Sequence, residues 1–370
     1  MTVAQDATVS EIASRPAAAR GRDEPLFAEV KLERIEERLH ELEKGNHDEV
    51  IPAHLLNYTD TGRIKVAGKE YELCLHSFRQ LAEIIAIPAK TLEKCPLGSG
   101  KASRQAIVLH WLSKMEGRSF LVRLKDNEVA NDKTGVHGRV RAILPANPSG
   151  ELPLSNLELF EHMRPYLRAY NMGVQLGNAN QDSFHMRTLF REELNIGGQV
   201  GNRHSGKDVH SLGVHWTNSE TGKFRLSADL IVYRQVCSNG MIAQSERGGL
   251  LHRRHQFVDR TTIGADIAAA MEAARARQSE LMGGLRTLRD QRIEDPETEL
   301  RSFLGSQNVS KEQVESVIKA FAEEPLRNRF GILQAMTRAV RKNHPDERVP
   351  MEKIAGIYLM KHAGSTDGNI

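Results

Sequence analysis

Hydrophobic and polar residues alternate along the middle of the chain, which is the pattern of a β-strand with one buried face. After a polar turn at residues 218–223, Phe224 and Leu226 fall on one face and Arg225 and Ser227 on the other. An apolar-rich run also precedes this turn. The two runs together predict a β-hairpin.

Four other segments alternate in the same way, namely 119–125, 138–144, 170–176 and 184–191. Their polar positions hold Arg, Lys, His, Asn or Gln and almost no carboxylate. If these strands form one sheet with an open face, that face is a basic platform. Its members are Arg123, Lys125, Arg139, Arg141, His185, Arg187 and Arg191. The alternative is a face covered by the acidic side of a helix, such as the helix predicted for residues 26–44.

Apolar residues recur at helical spacing on both sides of these strands. Ser310, followed three residues later by Gln313, predicts a capping box at a helix start. We therefore predict an α+β fold: a twisted antiparallel sheet with helices packed on one face, followed by a helical C-terminal region. The expected organisation is a disordered tail at 1–25, a mostly helical region at 26–118, an antiparallel sheet core with a basic face at 119–260, and a helical region at 261–370.

Three helices are predicted between the first helix and the strands. Two lie within residues 77–96, where a short turn separates them. That outline is shared by a DNA-reading helix-turn-helix and by a plain packed helix pair. In the third, over residues 102–115, we expect Val108, Trp111 and Leu112 on the buried side.

A second group of cations follows the hairpin. It comprises Arg247, Arg253, Arg254, His255 and Arg260. Upstream, Arg203 and Lys207 follow a glycine-rich segment that lacks the ending of a phosphate-binding P-loop. Together with the platform, these cations predict a surface for the phosphates of nucleic acid. The alternative is a solvated loop whose arginines pair with carboxylates elsewhere.

Composition narrows these interpretations. The chain has 370 residues, 27% of them charged, but a net charge of only +3, so an electrostatic site depends on local placement. No apolar run reaches membrane-spanning length, and three widely spaced cysteines fit a reducing cytoplasm. We expect no membrane partner, no cofactor and no metal site. Aromatic residues are only 5%, with Tyr170, Trp216 and Tyr233 best placed to stack on bases.

Several stretches carry a resemblance to a known family. They are SFRQLAEIIAIPAKTLEKCP, GRVRAILP, LPLSNLELFEHM, LIVYRQVCSNGMI, LHRRH and NRFGILQAMTRAVRKNHPDERVPMEKIAGIYL. Over roughly residues 70–360 the chain resembles the phage- and plasmid-like proteins grouped as domain of unknown function 932. The resemblance implies a role in the DNA biology of mobile elements. It implies no reaction, because that family has no assigned catalytic residues to transfer.

The leading hypothesis is sequence-independent binding of nucleic acid, with single-stranded DNA as the expected ligand. Strand annealing or protection would be its role, and a similarity in outline to phage annealing proteins suggests a homo-oligomer. One alternative is an enzyme acting on nucleic acid, with Asp182, Asp208 or Asp229 beside His185 or His210. We assign no catalytic residue, because no motif pairs these groups. The other alternative is a non-catalytic interaction protein whose basic face binds an acidic partner.

Overall fold

The computed structural model describes most of the chain between residues 29 and 363. The described ranges are 29–131, 135–180, 183–192, 194–200, 204–234, 239–243, 249–253, 258–323, 326–343 and 345–363. The disordered tail predicted for residues 1–25 lies outside the described residues.

Six strands form one sheet, here called the first sheet. Their bounds are Asn46–Pro52 (β1), Asn57–Tyr58 (β2), Arg63–Val66 (β3), Lys69–Leu73 (β4), Ser119–Asn131 (β5) and Val136–Pro145 (β6). The strand order is β1-β5-β6-β4-β3-β2, and every neighbouring pair is antiparallel except β4 and β6. The parallel pair requires a long connection, which the helices between β4 and β5 provide.

The first four helices are Leu32–Glu43 (α1), Leu75–Ile84 (α2), Ala89–Lys94 (α3) and Arg104–Ser113 (α4). Helices α2, α3 and α4 pack on this sheet, whereas α1 contributes Ile35 and Leu39 to a separate, larger apolar core. Helix α2 packs on β6, where the buried hydroxyl of Ser77 donates to the carbonyl of Val140 at 2.9 Å. Tyr71, Leu81 and Val122 belong to the apolar core between the sheet and these helices.

Seven strands form the second sheet. They are Met172–Ala179 (β7), Phe184–Phe190 (β8), Leu194–Val200 (β9), His204–Asn218 (β10), Leu226–Arg234 (β11), Asn239–Ala243 (β12) and Leu251–Arg253 (β13). The order is β12-β11-β10-β8-β7, with β9 also paired to β10 and β13 to β11. All of these pairs are antiparallel. The predicted hairpin is β10 and β11.

The remaining helices cover both faces of the second sheet. They are Asn156–Ala169 (α5), Ile263–Ala276 (α6), Gln278–Asp290 (α7), Pro296–Gly305 (α8), Lys311–Glu323 (α9), Arg329–Ala339 (α10) and Pro345–His362 (α11). Met186, Val214 and Trp216 face the main apolar core, which includes residues of α5 and α6. Helix α11 packs against β12, where Gly356 permits the contact because a Cβ there would lie 1.9 Å from the carbonyl oxygen of Ile242.

The tip of the β10–β11 hairpin joins the two sheets. Glu220 is buried at this tip, and its carboxylate accepts from Arg141 Nη2 on β6 at 2.8 Å. Arg123 Nη1 on β5 donates to the carbonyl oxygen of Glu220 at 2.7 Å, and Gln80 Nε2 donates to that of Thr221 at 2.8 Å. We call Arg123, Arg141 and Glu220 the hairpin socket.

The predicted α+β class and the C-terminal helical region are confirmed. The single antiparallel sheet of the prediction is instead two sheets, one of them mixed. Residues 26–118, expected to be mostly helical, contain β1 to β4 as well as α1 to α4. None of the helices in the described part of the chain combines the length and apolar composition that a bilayer crossing requires.

Replacement of Glu220 by Gln should destabilise the whole fold. The change leaves the buried guanidinium of Arg141 without its carboxylate, which costs about 3–5 kcal/mol for a buried pair. Urea unfolding followed by circular dichroism measures the loss. A double-mutant cycle with Arg141→Ala should give a double variant less destabilised than the sum of the single variants.

The matched control is Arg301→Ala, which removes an exposed ion pair with Glu315 on the C-terminal helices. We expect that change to cost far less than Glu220→Gln, because exposed ion pairs contribute little to stability. An equal, small cost for Glu220→Gln would show that the socket does not hold the sheets together.

Candidate functional site

The platform cations of the first sheet do not form an open basic face. Arg141, which is 3% exposed, pairs with Glu220, and the buried Arg123 pairs with Asp48 at 2.9 Å. The expectation that these two arginines face solvent is therefore wrong. Lys125 is half-buried and donates to the carbonyl oxygen of Leu42 at 3.4 Å. Of the four predicted cations on β5 and β6, Arg139 alone is exposed.

The platform cations of the second sheet are covered as well. His185 and Arg187 on β8 are buried, contrary to the prediction. His185 Nε2 lies 2.8 Å from Asp346 Oδ1, and Arg187 forms an ion pair with Glu352. Both carboxylates belong to α11. The alternative interpretation, a sheet face covered by an acidic helix, is therefore correct here, although the covering helix is α11 and not residues 26–44.

The other predicted cations, apart from Lys207, are paired or lie outside the described residues. Arg191 is exposed, and its guanidinium donates to both carboxylate oxygens of Glu29 at 2.7 and 2.8 Å. Arg253 pairs with Asp266 at 3.3 Å, and Arg260 Nη2 donates to Glu158 at 3.1 Å. Lys207 lies on β10, whereas Arg203, Arg247, Arg254 and His255 fall outside the described residues.

A buried polar layer lies between the second sheet and α11. Arg187, His215 and Asp229 are neighbours across β8, β10 and β11, and they form one row of this layer. His185, Thr217 and Ser227 form the next row, and the exposed His252 lies at its end. Asp229 is fully buried and pairs with Lys353 of α11 at 3.1 Å. The sheet and the helix are thus held together by ion pairs that no single stretch of sequence displays.

A hydroxyl, an imidazole and a carboxylate are connected in series within this layer. Lys223 Nζ donates to Asp346 Oδ2 at 2.6 Å, and His185 Nε2 contacts the other oxygen. In the neutral imidazole that donates from Nε2, Nδ1 accepts from Thr217, 3.4 Å away. The same series occurs in nucleophilic enzymes, but only 7% of Thr217 is exposed, so a substrate could not reach it unless α11 moved. Its contacts fit a strut between β8, β10 and α11.

The charges of the layer change the pKa values of its members. Burial lowers the pKa of His215 far below its ordinary value, and the charge of Arg187 adds to the effect. Burial alone would raise the pKa of Asp346, but hydrogen bonds from His185 and Lys223 outweigh it and hold that pKa well below its usual range. The fold therefore keeps His215 neutral and Asp346 ionised.

Metal binding is not supported by this layer. In the described portion of the chain, no three His, Cys, Asp or Glu side chains are arranged to hold a metal ion. Of the carboxylates named as candidate acids, Asp229 is bound to Lys353 and lies 3.5 Å from His252. Asp182 lies outside the described residues. The partner of His185 is Asp346, which the sequence does not suggest because 161 residues separate the two.

Free cations lie instead on α3, on α4 and in the segments that adjoin α4. Lys90, Lys94, Lys101, Lys114 and Arg118 are exposed, and none makes an ion pair with a described carboxylate. Residues 89–118 contain six Lys or Arg against two Glu, a formal charge of +4 that exceeds the +3 of the whole chain. We call residues 89–118 the α3–α4 surface. This local excess of positive charge can be counted in the sequence, but the cations on the alternating strands suggested a different site.

The two tryptophans of the chain lie opposite to the sequence-based expectation, which had Trp216 available for stacking and Trp111 buried. Trp216 is fully buried, and its Nε1 donates to Thr188 Oγ1 at 3.0 Å. Tyr233 is also buried, and Tyr170 donates to Glu272 at 2.8 Å. Trp111, expected in the core, is 45% exposed on α4. An aromatic side chain available for stacking therefore lies on the α3–α4 surface and not on the sheets.

Stability should fall as the pH drops below about 6.5, the ordinary pKa of histidine in an unfolded chain. Below that value the unfolded chain binds a proton at His215 that the folded chain excludes, so the loss approaches about 1.4 kcal/mol per pH unit. Urea unfolding at a series of pH values measures it. His215→Gln should flatten the curve between pH 6.5 and 5, whereas His54→Gln, at an exposed site, should not. Identical slopes in the two variants would contradict the assignment.

Comparison of the chain with known protein families, with curated proteins and with solved structures found no match. The resemblance to the phage- and plasmid-like family therefore stays a prediction, and the function must be argued from the geometry of the chain itself.

Proposed function

We propose that the protein binds nucleic acid through the α3–α4 surface. The observation that supports the proposal is the concentration of exposed cations there without carboxylate partners. Such cations bind well to the phosphates of a nucleic acid, because their binding releases the counterions condensed on its backbone. The cations on the two sheets, by contrast, are largely neutralised within the protein and offer little to an external polyanion.

The cations of this surface are spread along the chain in a way that suits successive phosphates. Lys90 and Lys94 are four residues apart on α3 and so share one side of that helix. Lys101 precedes the N-cap of α4, and Lys114 follows its last residue. Since ten helical residues span about 15 Å, the ends of the surface are several phosphate spacings apart. This extent favours contact with a strand over contact with one phosphate group.

Arg104 links the two helices into one unit. Its Nε donates to the carbonyl oxygen of Leu92 at 3.0 Å, and its Nη2 donates to those of Glu93 and Cys95 at 2.6 and 3.3 Å. These bonds satisfy carbonyls at the C-terminal end of α3. Arg104 therefore positions Lys94 relative to α4.

The geometry favours contacts with the backbone over base readout. Helices α2 and α3 do form a helix pair, joined by a turn in which Ala86 has a φ of 56°. Helix α3 has only six residues, and Leu92 is buried in the core. Few of its side chains are left to enter a major groove. Binding is accordingly expected to be independent of sequence, as in a protein that protects or anneals single strands of a phage or plasmid.

Removal of four cations should weaken binding and reduce its salt dependence. We expect Lys90→Ala, Lys94→Ala, Lys114→Ala and Arg118→Ala in combination to lower the slope of log K against log salt by about 0.7 for each phosphate that the variant no longer neutralises. Filter binding to single-stranded DNA over a salt series measures the slope. The fold should survive, because exposed unpaired cations contribute little to stability.

A second quadruple variant provides the control, with the same change in charge at other exposed positions. Its substitutions are Lys311→Ala, Lys319→Ala, Arg341→Ala and Lys342→Ala on the C-terminal helices. We expect nearly unchanged affinity. An equal loss in both variants would mean that only the net charge matters, and no loss in either would exclude the α3–α4 surface.

A further inference from the structure

We propose that Trp111 stacks on unpaired bases, so that the α3–α4 surface takes single-stranded nucleic acid in preference to duplex. This inference rests on the proposed function, because it names the ligand class of the same surface.

The exposure of Trp111 is the first observation that supports it. Nearly half of this large aromatic residue is in contact with solvent, at 45%. The core does not need the residue, because Val108 and Leu112 already fill the buried side of α4. Tryptophan is usually buried for most of its surface. Tryptophan is enriched at surfaces that contact other molecules, because its ring is apolar and its N–H can still reach a polar partner.

The surroundings of Trp111 are the second observation. Lys114 lies three residues later, on the side of the helix that bears the indole, and Arg104, seven residues earlier, joins that side of α4 to the cationic helix α3. The ring of His110 meets the indole edge-on, with centroids 5.9 Å apart. Leu109, two residues before Trp111, is 36% exposed. A stacking ring among cations is the arrangement with which proteins bind single strands, the cations contacting phosphates and the ring a base.

Duplex nucleic acid cannot use the indole in this way. Its bases are already stacked inside the helix, and a protein must unstack one before an aromatic ring can lie against its face. A single strand offers its base faces at much lower cost. Selection for single strands would therefore depend on Trp111, whereas the affinity shared by both ligands would depend on the cations.

The number of tryptophans makes a direct experiment possible. The chain has two, and the second, Trp216, is fully buried. We expect an oligothymidylate to quench the fluorescence of Trp111 and to leave that of Trp216 unchanged. The quenching should be absent in Trp111→Phe. Trp111→Ala should lower the affinity for the oligothymidylate by about 5- to 150-fold and that for a duplex of the same length by less than about 2-fold.

Ile357→Ala is the matched control, because it removes an exposed apolar side chain from α11, outside the α3–α4 surface, and keeps the indole. Its fluorescence quenching and its affinity for the oligothymidylate should equal those of the unmodified protein. Thermal unfolding of each variant checks that it folds. If Trp111→Ala does not fold, Trp111→Phe serves in its place, and because it retains an aromatic ring it should keep most of the affinity for the oligothymidylate.

Three results would overturn the inference, and they are distinguishable from failure of the proposed function. If the protein binds single strands and duplex equally, without quenching, the cations bind phosphate and Trp111 does not stack. If Trp111→Ala changes the sedimentation of the protein without DNA and leaves DNA affinity intact, the indole is a contact between copies of the chain. If neither ligand binds at all, the proposed function itself is wrong.

Discussion

The buried carboxylate of Glu220 is the interaction on which the arrangement of the two sheets depends. It lies at the tip of the β10–β11 hairpin and accepts from Arg141 of the first sheet and from the backbone amide of Asn156 at the start of α5. Burial would raise the pKa of Glu220, but Arg141 and Arg123 outweigh it and lower that pKa. A charge removed from water is tolerated only with such partners. These contacts therefore fix the position of the hairpin tip against the first sheet.

The same constraint recurs where α11 covers the second sheet. Arg187, His215 and Asp229 put charged and polar groups on a sheet face that is buried, and α11 supplies Glu352 and Lys353 to neutralise them. The layer contains groups that catalysis could use, but the ion pairs of Arg187 with Glu352 and of Asp229 with Lys353 link the sheet to α11. We therefore propose a binding function for this protein, with the α3–α4 surface and not this layer as its site.

The cations of this protein differ in their partners. Arg123, Arg141 and Arg187 on the strands pair with carboxylates and hold elements together, whereas the exposed cations of the α3–α4 surface make no ion pair with a described carboxylate. A positive residue is available to a polyanion only when no carboxylate of the protein already neutralises it. The net charge of the whole chain is only +3 and so does not reveal the larger local charge of +4 on the α3–α4 surface.

The sequence by itself determined the fold class and many of the local elements. Alternation located β5 and β6 of the first sheet and β7, β8 and β11 of the second. The capping box at Ser310 forms as predicted, with Gln313 N donating to Ser310 Oγ at 3.3 Å. Such features depend on residues a few positions apart. Only the tertiary structure decided which polar faces are open, because the carboxylates that cover them are remote: Glu220 is 79 residues from Arg141, and Glu352 is 165 from Arg187. It also decided that Trp216 is buried and Trp111 exposed. Periodicity shows that a strand or helix has two faces, but what packs against each face is a property of the assembled chain.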